Sequence, residues 1–345
     1  SKRSGRTTSD HRPCSASTTR TRMGRTMPAN LSHEYKTAEA AYKRASDPKE
    51  RLDLLRTMLR TIPKHKGTEH IRADIKTRIK ELTEQLAGPR KGGSRSGPAT
   101  VIRPDGAAQV ALLGPPNSGK SALHARLTGS HSPSEPYPFA TQYPQPGMMP
   151  VDDIYLQLVD LPSLAPEHPI PWMANALQPA DCCLLVADLA HAGTIDRIDA
   201  LHGILAERSI HLVSDWPVYG DITRGVDDPD PFAVYLPTLL VVNKIDLESG
   251  YREDVVVFEE LTGYTYPWVG VSAVTGEGAE EMGHWLTTHL AVVRIYTKIP
   301  GQPPDMSRPF TVRRGQTVQD VARLVHKDVA RNLKYARLWG DARFD

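Results

Sequence analysis

The sequence predicts an α/β chain: a doubly wound, mostly parallel sheet, preceded by a helical hairpin and followed by a small module of strand, helix and strand. Three observations carry this. Short apolar runs at 109–113, 154–159, 182–187, 238–242 and 269–272 alternate with helical stretches, which is the pattern of a parallel sheet covered on both faces. Before them, apolar residues recur at three- and four-residue steps over 52–86, as on one side of a helix. Between the first run and the helix after it stands Gly114-Pro-Pro-Asn-Ser-Gly-Lys-Ser121, a glycine-rich loop of the kind that wraps phosphate.

Composition bounds the rest. The 345 residues are 39% apolar and 24% charged, an ordinary globular mixture with room for two or three domains. No apolar run approaches the roughly 18 residues needed to cross a bilayer, so no membrane partner is expected. The cysteines are Cys14 and the vicinal pair Cys182 and Cys183, too few for a disulfide framework and without zinc-type spacing, which favours a reducing, cytoplasmic location. Net charge is uneven: +13 over residues 1–100, −17 over 101–291 and +6 over 292–345. Basic ends around an acidic body permit a polyanionic partner.

In chain order, residues 1–26 hold seven basic groups and one large apolar residue, Met23, and are expected to be a disordered basic extension, with Met27 a candidate start. Residues 27–88 form the helical hairpin. Asp47-Pro48 provides a cap and a first-turn proline, and Leu52, Leu55, Met58, Leu59 and Ile62 follow before Pro63. Thr68 caps a second helix striped by Ile71, Ile75, Ile79, Leu82 and Leu86, stopped by Gly88. Lys64, Lys66, Arg72, Lys76, Arg78 and Lys80 form either an RNA-facing surface or the solvated side of an amphipathic pair. Residues 89–104 are a flexible basic linker, residues 105–291 the α/β body, and residues 292–345 the small module. In that module PFTVRR reads as a strand, Gly315 as a turn, Thr317–Val329 as a helix and Tyr335–Trp339 as a second strand. The acidic stretch Asp215–Asp230 reads as a solvated loop.

The chemistry lies at the C-terminal ends of the apolar runs, where open α/β sheets bind ligands. In the phosphate loop, backbone N–H groups of Asn117, Ser118, Gly119, Lys120, Ser121 and Ala122 point at phosphate oxygens. Lys120 reaches the outer phosphates and the Ser121 hydroxyl ligates Mg²⁺. Asp160-Leu-Pro-Ser163 follows the next run, where Asp160 can hold Mg²⁺ through water and the fourth residue's N–H can meet a γ-phosphate. Asn243-Lys244-Ile-Asp246 ends a later run; the Asp246 carboxylate can accept both the N1 and N2 protons of guanine, a pair adenine lacks. Ser272, Ala273 and Val274 end the last run, where a backbone N–H can meet the guanine oxygen. Singly these motifs are weak, because Asn and Asp after strands mostly make turns. In this order after a phosphate loop they specify GTP and GDP over ATP. The thirteen His show no paired ligand spacing.

On these motifs the chain resembles the Obg/DRG branch of GTP-binding proteins with a C-terminal TGS domain. The matches are GPPNSGKS, Tyr137-Pro-Phe-Ala-Thr141, Asp160-Leu-Pro, NKID, VSA, the PKHKGTEH hairpin segment, and RIYTKIPGQPPD with PFTVRRGQTVQDV and LKYARLWG. The resemblance implies a P-loop GTPase fold followed by a β-grasp TGS module. The chain stops at Asp345, where such a module continues into more strand, so a truncated module is expected. It implies slow GTP hydrolysis with Mg²⁺, and contact of the basic hairpin and TGS module with the ribosome or RNA rather than DNA. Thr141 is implied as the switch ligand to Mg²⁺ and the γ-phosphate, with Ala140 replacing the first Thr of the family's pair. Asn117 stands where related K⁺-stimulated GTPases help bind a monovalent cation; alternatively it only stabilises the loop turn. Lys120, Thr141 and Asn117 are thus the candidate catalytic residues, and Ser121, Thr141 and Asp160 the metal ligands. Two departures are visible: Ser163 replaces a switch glycine, and Leu164 stands where Ras-like enzymes place a water-positioning Gln. They leave open a second reading, a nucleotide-sensing scaffold that binds GTP and GDP with negligible hydrolysis.

Overall fold

A computed structural model describes residues 32–45, 48–64, 68–87, 100–130, 141–168, 170–216, 232–247, 249–299 and 301–339. The extension 1–26, most of the linker 89–104, Tyr137–Ala140, most of the stretch 215–230, and Lys66 with Gly88 lie outside the described residues. The chain divides into two compact units after Arg90.

The first unit holds helices α1 (His33–Arg44), α2 (Pro48–Thr61) and α3 (Glu69–Ala87). The predicted pair is α2 and α3; α1 is a third helix ahead of it, within the stretch expected to be helical, and it packs on α2. Ser32 caps α1 by accepting from Tyr35 N at 3.2 Å while its hydroxyl donates to Thr61 O at 3.1 Å. One serine thereby ties the start of α1 to the end of α2. Tyr35, Tyr42, Leu55, Met58, Ile62 and Ile75 form the buried core. The α3 stripe begins buried at Ile71 and Ile75, is half-buried at Ile79 and Leu82, and is exposed at Leu86, because α3 has 19 residues and α2 only 14. Thr68 precedes α3 and donates to Pro63 O at 2.6 Å. Lys64, Lys76 and Lys80 are exposed, while Arg72 and Arg78 are half-buried.

The second unit is built on strands β1 (Gln109–Leu113), β2 (Gln145–Val151), β3 (Ile154–Asp160), β4 (Cys182–Ala187), β5 (Ile210–Val213), β6 (Val234–Asn243) and β7 (Trp268–Val271). Their order is β2-β3-β1-β4-β6-β5, with β7 also on β6; only β2 is antiparallel to its neighbour. β6 is long enough to serve both: Val234–Pro237 pairs with β5, and Leu240–Asn243 with β7. Alternation along β1 divides the core, with Val110 and Leu112 facing one side and Ala111 and Leu113 the other. Helices α4 (Lys120–Thr128) and α8 (Ala279–His289) cover the first side through Leu123, Met282 and Leu286. Helices α5 (Met173–Leu177), α6 (Thr194–Ala206) and α7 (Tyr251–Thr262) cover the other through Met173, Leu201 and Phe258. Cys182 and Cys183 lie in this core, where burial pushes both thiols up.

The C-terminal part is simpler than expected. Strand β8 (Val292–Ile295) pairs antiparallel with β9 (Phe310–Arg313). The expected single helix over Thr317–Val329 is instead α9 (Val318–Val325), opened by a Thr317–Asp320 capping box, and α10 (Lys327–Asn332), separated at His326, whose backbone is extended. Tyr335–Trp339 is not a strand: it has no ladder partner among the described residues, and Tyr335 is 80% exposed. A short apolar-rich segment makes a strand only where an edge receives it. Arg294 of β8 reaches Asp152 at 2.9 Å and Asp153 at 2.8 Å in the β2–β3 turn, and Arg313 of β9 reaches Asp181 before β4 at 2.9 Å.

Candidate functional site

The phosphate loop runs from the end of β1 into α4. Gly114 is required by close approach: a Cβ there would stand 2.1 Å from Val186 O of β4. Gly119 has φ +87°, and a Cβ on it would meet Asn243 Nδ2 at 2.2 Å. Asn117 takes φ 63°, a left-handed conformation that Asn tolerates better than most residues, and its side chain is exposed. Ala122 lies half-buried in the first turn of α4.

Lys120 folds back under the loop and is 6% exposed. Its ammonium donates to Gly114 O and Pro115 O, both at 3.1 Å, and to Ser163 Oγ at 2.7 Å. Burial lowers its pKa from 10.5 to about 8, with nearby Asp160 opposing part of that shift. Beside it, the Ser121 hydroxyl donates to Asp160 Oδ2 at 2.6 Å and lies 3.1 Å from Thr141 Oγ1, which is itself 3.4 Å from Asp160 Oδ2. The structure therefore brings together Lys120, Ser121, Thr141, Asp160 and Ser163, which come from three separate segments. The other oxygen of Asp160, Oδ1, is buried and has no hydrogen-bond partner among the described residues. Two hydroxyls and a carboxylate with an unused buried oxygen are hard donors that fit Mg²⁺. They would hold it where Asp160 ends β3 and Ser121 opens α4.

The side expected to read the base is organised by Asn243. Its amide donates from Nδ2 to Ser118 O at 2.9 Å and accepts on Oδ1 from Ala273 N at 3.2 Å. That residue, 4% exposed, joins the phosphate loop to the loop after β7. Of the backbone N–H groups at this strand end that could meet a guanine oxygen, that of Ala273 is engaged by Asn243. Val274 N and Thr275 N donate to Ser272 Oγ at 3.2 and 3.0 Å, shaping the turn and leaving the Val274 side chain exposed. Asp246 is exposed at the end of β6. Lys244, at φ 69°, pairs with Asp188 beyond β4 at 2.7 Å. Sequence reasoning missed Asp188; a carboxylate at the end of β4 was its signal.

Leu164, which follows Ser163, is 3% exposed and packs with Leu161, Met173 and Leu177. It faces the core. Among the described residues no cluster of His, Cys, Asp and Glu is suited to a metal, and no helix is long and apolar enough to cross a membrane.

Residues 109–215 match the family model described as 50S ribosome-binding GTPase, and residues 293–345 match the TGS domain. An uncharacterized GTP-binding protein of Methanocaldococcus jannaschii is 27% identical over 331 residues, covering 82% of this chain and 83% of that protein. Developmentally-regulated G-protein 1 of Arabidopsis thaliana is 26% identical, covering 84% of each chain. Developmentally-regulated GTP-binding protein 2 of Homo sapiens is 26% identical, covering 80% of this chain and 88% of its own. With both domain matches in order and such relatives aligned along most of its length, the chain is similar throughout to GTP-binding proteins of the Obg/DRG type, with a segment matching the GTPase model and a C-terminal segment matching the TGS domain.

Proposed function

We propose that this protein is a Mg²⁺-dependent GTPase of low intrinsic turnover that regulates an event on the ribosome. The observation that carries the reading is the convergence of Ser121, Thr141 and Asp160 beside the Lys120 ammonium. Mg²⁺ held there would supply positive charge against the outer phosphate oxygens. The chain's own groups do the rest. Backbone N–H groups of residues 117–122 cradle phosphate, Lys120 takes the outer oxygens, and Thr141 closes over the metal side. The Asp246 carboxylate accepts from N1 and N2 of guanine. The guanine oxygen shares Ala273 N–H with Asn243 or takes it over.

Low turnover follows from Leu164, whose buried side chain cannot orient an attacking water. K⁺ would add charge near the phosphates, with the Asn117 amide as one oxygen donor; its left-handed backbone equally suits a simple turn. The exposed Lys64, Lys76 and Lys80 support contact with ribosomal RNA, as does the family description of residues 109–215. A cytoplasmic location fits the buried, unpaired thiols of Cys182 and Cys183. The second reading, a scaffold that senses GTP and GDP without hydrolysing, is favoured by the same Leu164 burial.

Turnover of GTP by the full chain with Mg²⁺, in K⁺ against Na⁺ buffer, tests these readings. K⁺ should raise the rate about tenfold, the effect of ~1.4 kcal/mol at the transition state, and Asn117→Ala should remove that difference. Equal rates in the two salts would end the K⁺ assignment. Tight GTP binding without turnover in either salt would select the scaffold. ATP competing as well as GTP would refute the guanine assignment to Asp246, and absence from ribosomal pellets on cosedimentation would refute the ribosomal partner.

A further inference from the structure

Asp188 directly follows β4 and Lys244 directly follows β6, and these parallel strands pair as far as Ala187 and Val242. The ladder therefore delivers both residues to the same end of the sheet. There the Lys244 ammonium donates to Asp188 Oδ2 at 2.7 Å, and both residues are half-buried. Asp188 is held from behind: its carbonyl accepts from the Thr194 hydroxyl at 2.8 Å and from His191 N at 3.3 Å, in the turn that opens α6. Lys244 has the left-handed backbone, at φ 69°, a conformation that persists only where its surroundings hold it. Its carbonyl accepts from Leu247 N at 3.0 Å, closing the turn that carries Asp246. Lys244 is the cation nearest to Asp246 in sequence, two positions away, yet its ammonium is committed to Asp188. An ammonium that instead reached the Asp246 carboxylate would occupy the oxygens a base has to meet.

We propose that Asp188 is a specificity-determining positioning residue, which sequesters the Lys244 ammonium so that the Asp246 carboxylate stays open to the N1 and N2 protons of guanine. The inference rests on the guanine-nucleotide reading above and adds to it a residue outside the sequence motifs. Asp188 acts through Lys244 and does not itself touch the base. Loss of its charge releases a cation on a four-carbon stem beside Asp246, where it competes with the base. Inosine diphosphate lacks the N2 amino group and offers Asp246 one proton where guanine offers two. The preference for GDP over inosine diphosphate therefore reports how well Asp246 is presented.

Competition of each diphosphate against fluorescent GDP, on the full chain with Mg²⁺, tests this. Asp188→Asn keeps the shape without the charge, and Asp188→Ala removes the acceptor. Each should lower the preference for GDP about tenfold, the worth of one hydrogen bond to a charged group. In a Lys244→Met background there is no ammonium to release, so adding Asp188→Asn should leave the preference where Lys244→Met alone sets it. A preference unchanged in both Asp188 variants overturns the proposal, as does a loss that persists undiminished in the Lys244→Met background. A merely structural role would weaken both diphosphates alike and leave their ratio unmoved, which also overturns it. Wild-type protein that bound the two diphosphates equally, or neither, would instead refute the guanine assignment to Asp246.

Discussion

Lys120→Met should lower GTP affinity about a thousandfold, since the two or so charge-assisted bonds lost to phosphate are each worth ~1.5–3 kcal/mol, and yet leave the fold about as heat-stable as before. The lysine is buried, and its pKa falls from 10.5 to about 8 because the folded site desolvates the charge. A base that binds its proton less tightly when folded destabilises the fold wherever it stays charged. The penalty is full below about pH 8 and fades as pH rises toward 10.5. At neutral pH the shift corresponds to about 3 kcal/mol. Methionine removes that penalty but strands Gly114 O, Pro115 O and the Ser163 hydroxyl, which gives back a comparable amount, ~1–3 kcal/mol. The expected result is near-complete loss of binding in titration calorimetry with a melting temperature within a few degrees of wild type or above it. A melting temperature more than about 10 °C lower would mean that Lys120 is a structural keystone rather than a strained functional group.

Gly114→Ala should produce the largest loss of stability of any single methyl addition in the site. The new carbon would stand 2.1 Å from the carbonyl oxygen of Val186, and φ at this position is +149°. The obstacle is backbone in β4, which pairs with β1 on one side and β6 on the other, so it cannot swing aside as a flexible side chain would. Relief requires moving the phosphate loop or separating the central strands. Strain and overpacking together are expected to cost about 3–4 kcal/mol, or roughly 10 °C in melting temperature for a unit of this size. Nucleotide binding should fall with it. Calorimetric melting checks both; a shift under about 2 °C would show that the loop yields easily and that Gly114 is not required by this contact.

The legibility of the fold followed burial. β1 and β4 are continuous apolar runs in the middle of the sheet, and the sequence marks both ends of each. β2 was invisible because QPGMMPV carries two prolines and a glycine. It can be a strand only as the outermost one, where an edge tolerates missing N–H donors. β5 has four residues, three of them only half-buried, and borrows its register from the overlong β6. Tyr335–Trp339 erred in the other direction, a short apolar-rich segment with no edge to join among the described residues.

Within the site, single motifs could be read because each occupies one strand end. What joins them could not. Lys120 and Ser163 are 43 positions apart, Ser118 and Asn243 125, and Lys244 and Asp188 56, and nothing local in the chain announces such pairs. Leu164 was read by analogy as an apolar side chain standing where a water-positioning Gln would be expected. Its burial among Leu161, Met173 and Leu177 shows that packing alone accounts for its side chain.

The two-sided bonding of Asn243 has a consequence for how such a site can change over generations. One amide holds the phosphate loop with its nitrogen and the turn after β7 with its oxygen, so the two halves of the proposed nucleotide site share a hinge pin. A lineage drifting toward another base could alter Asp246 freely, since that side chain is exposed. It could not exchange Asn243 without also loosening its grip on phosphate. Specificity for the base is thereby replaceable at one position and locked at its neighbour three residues away.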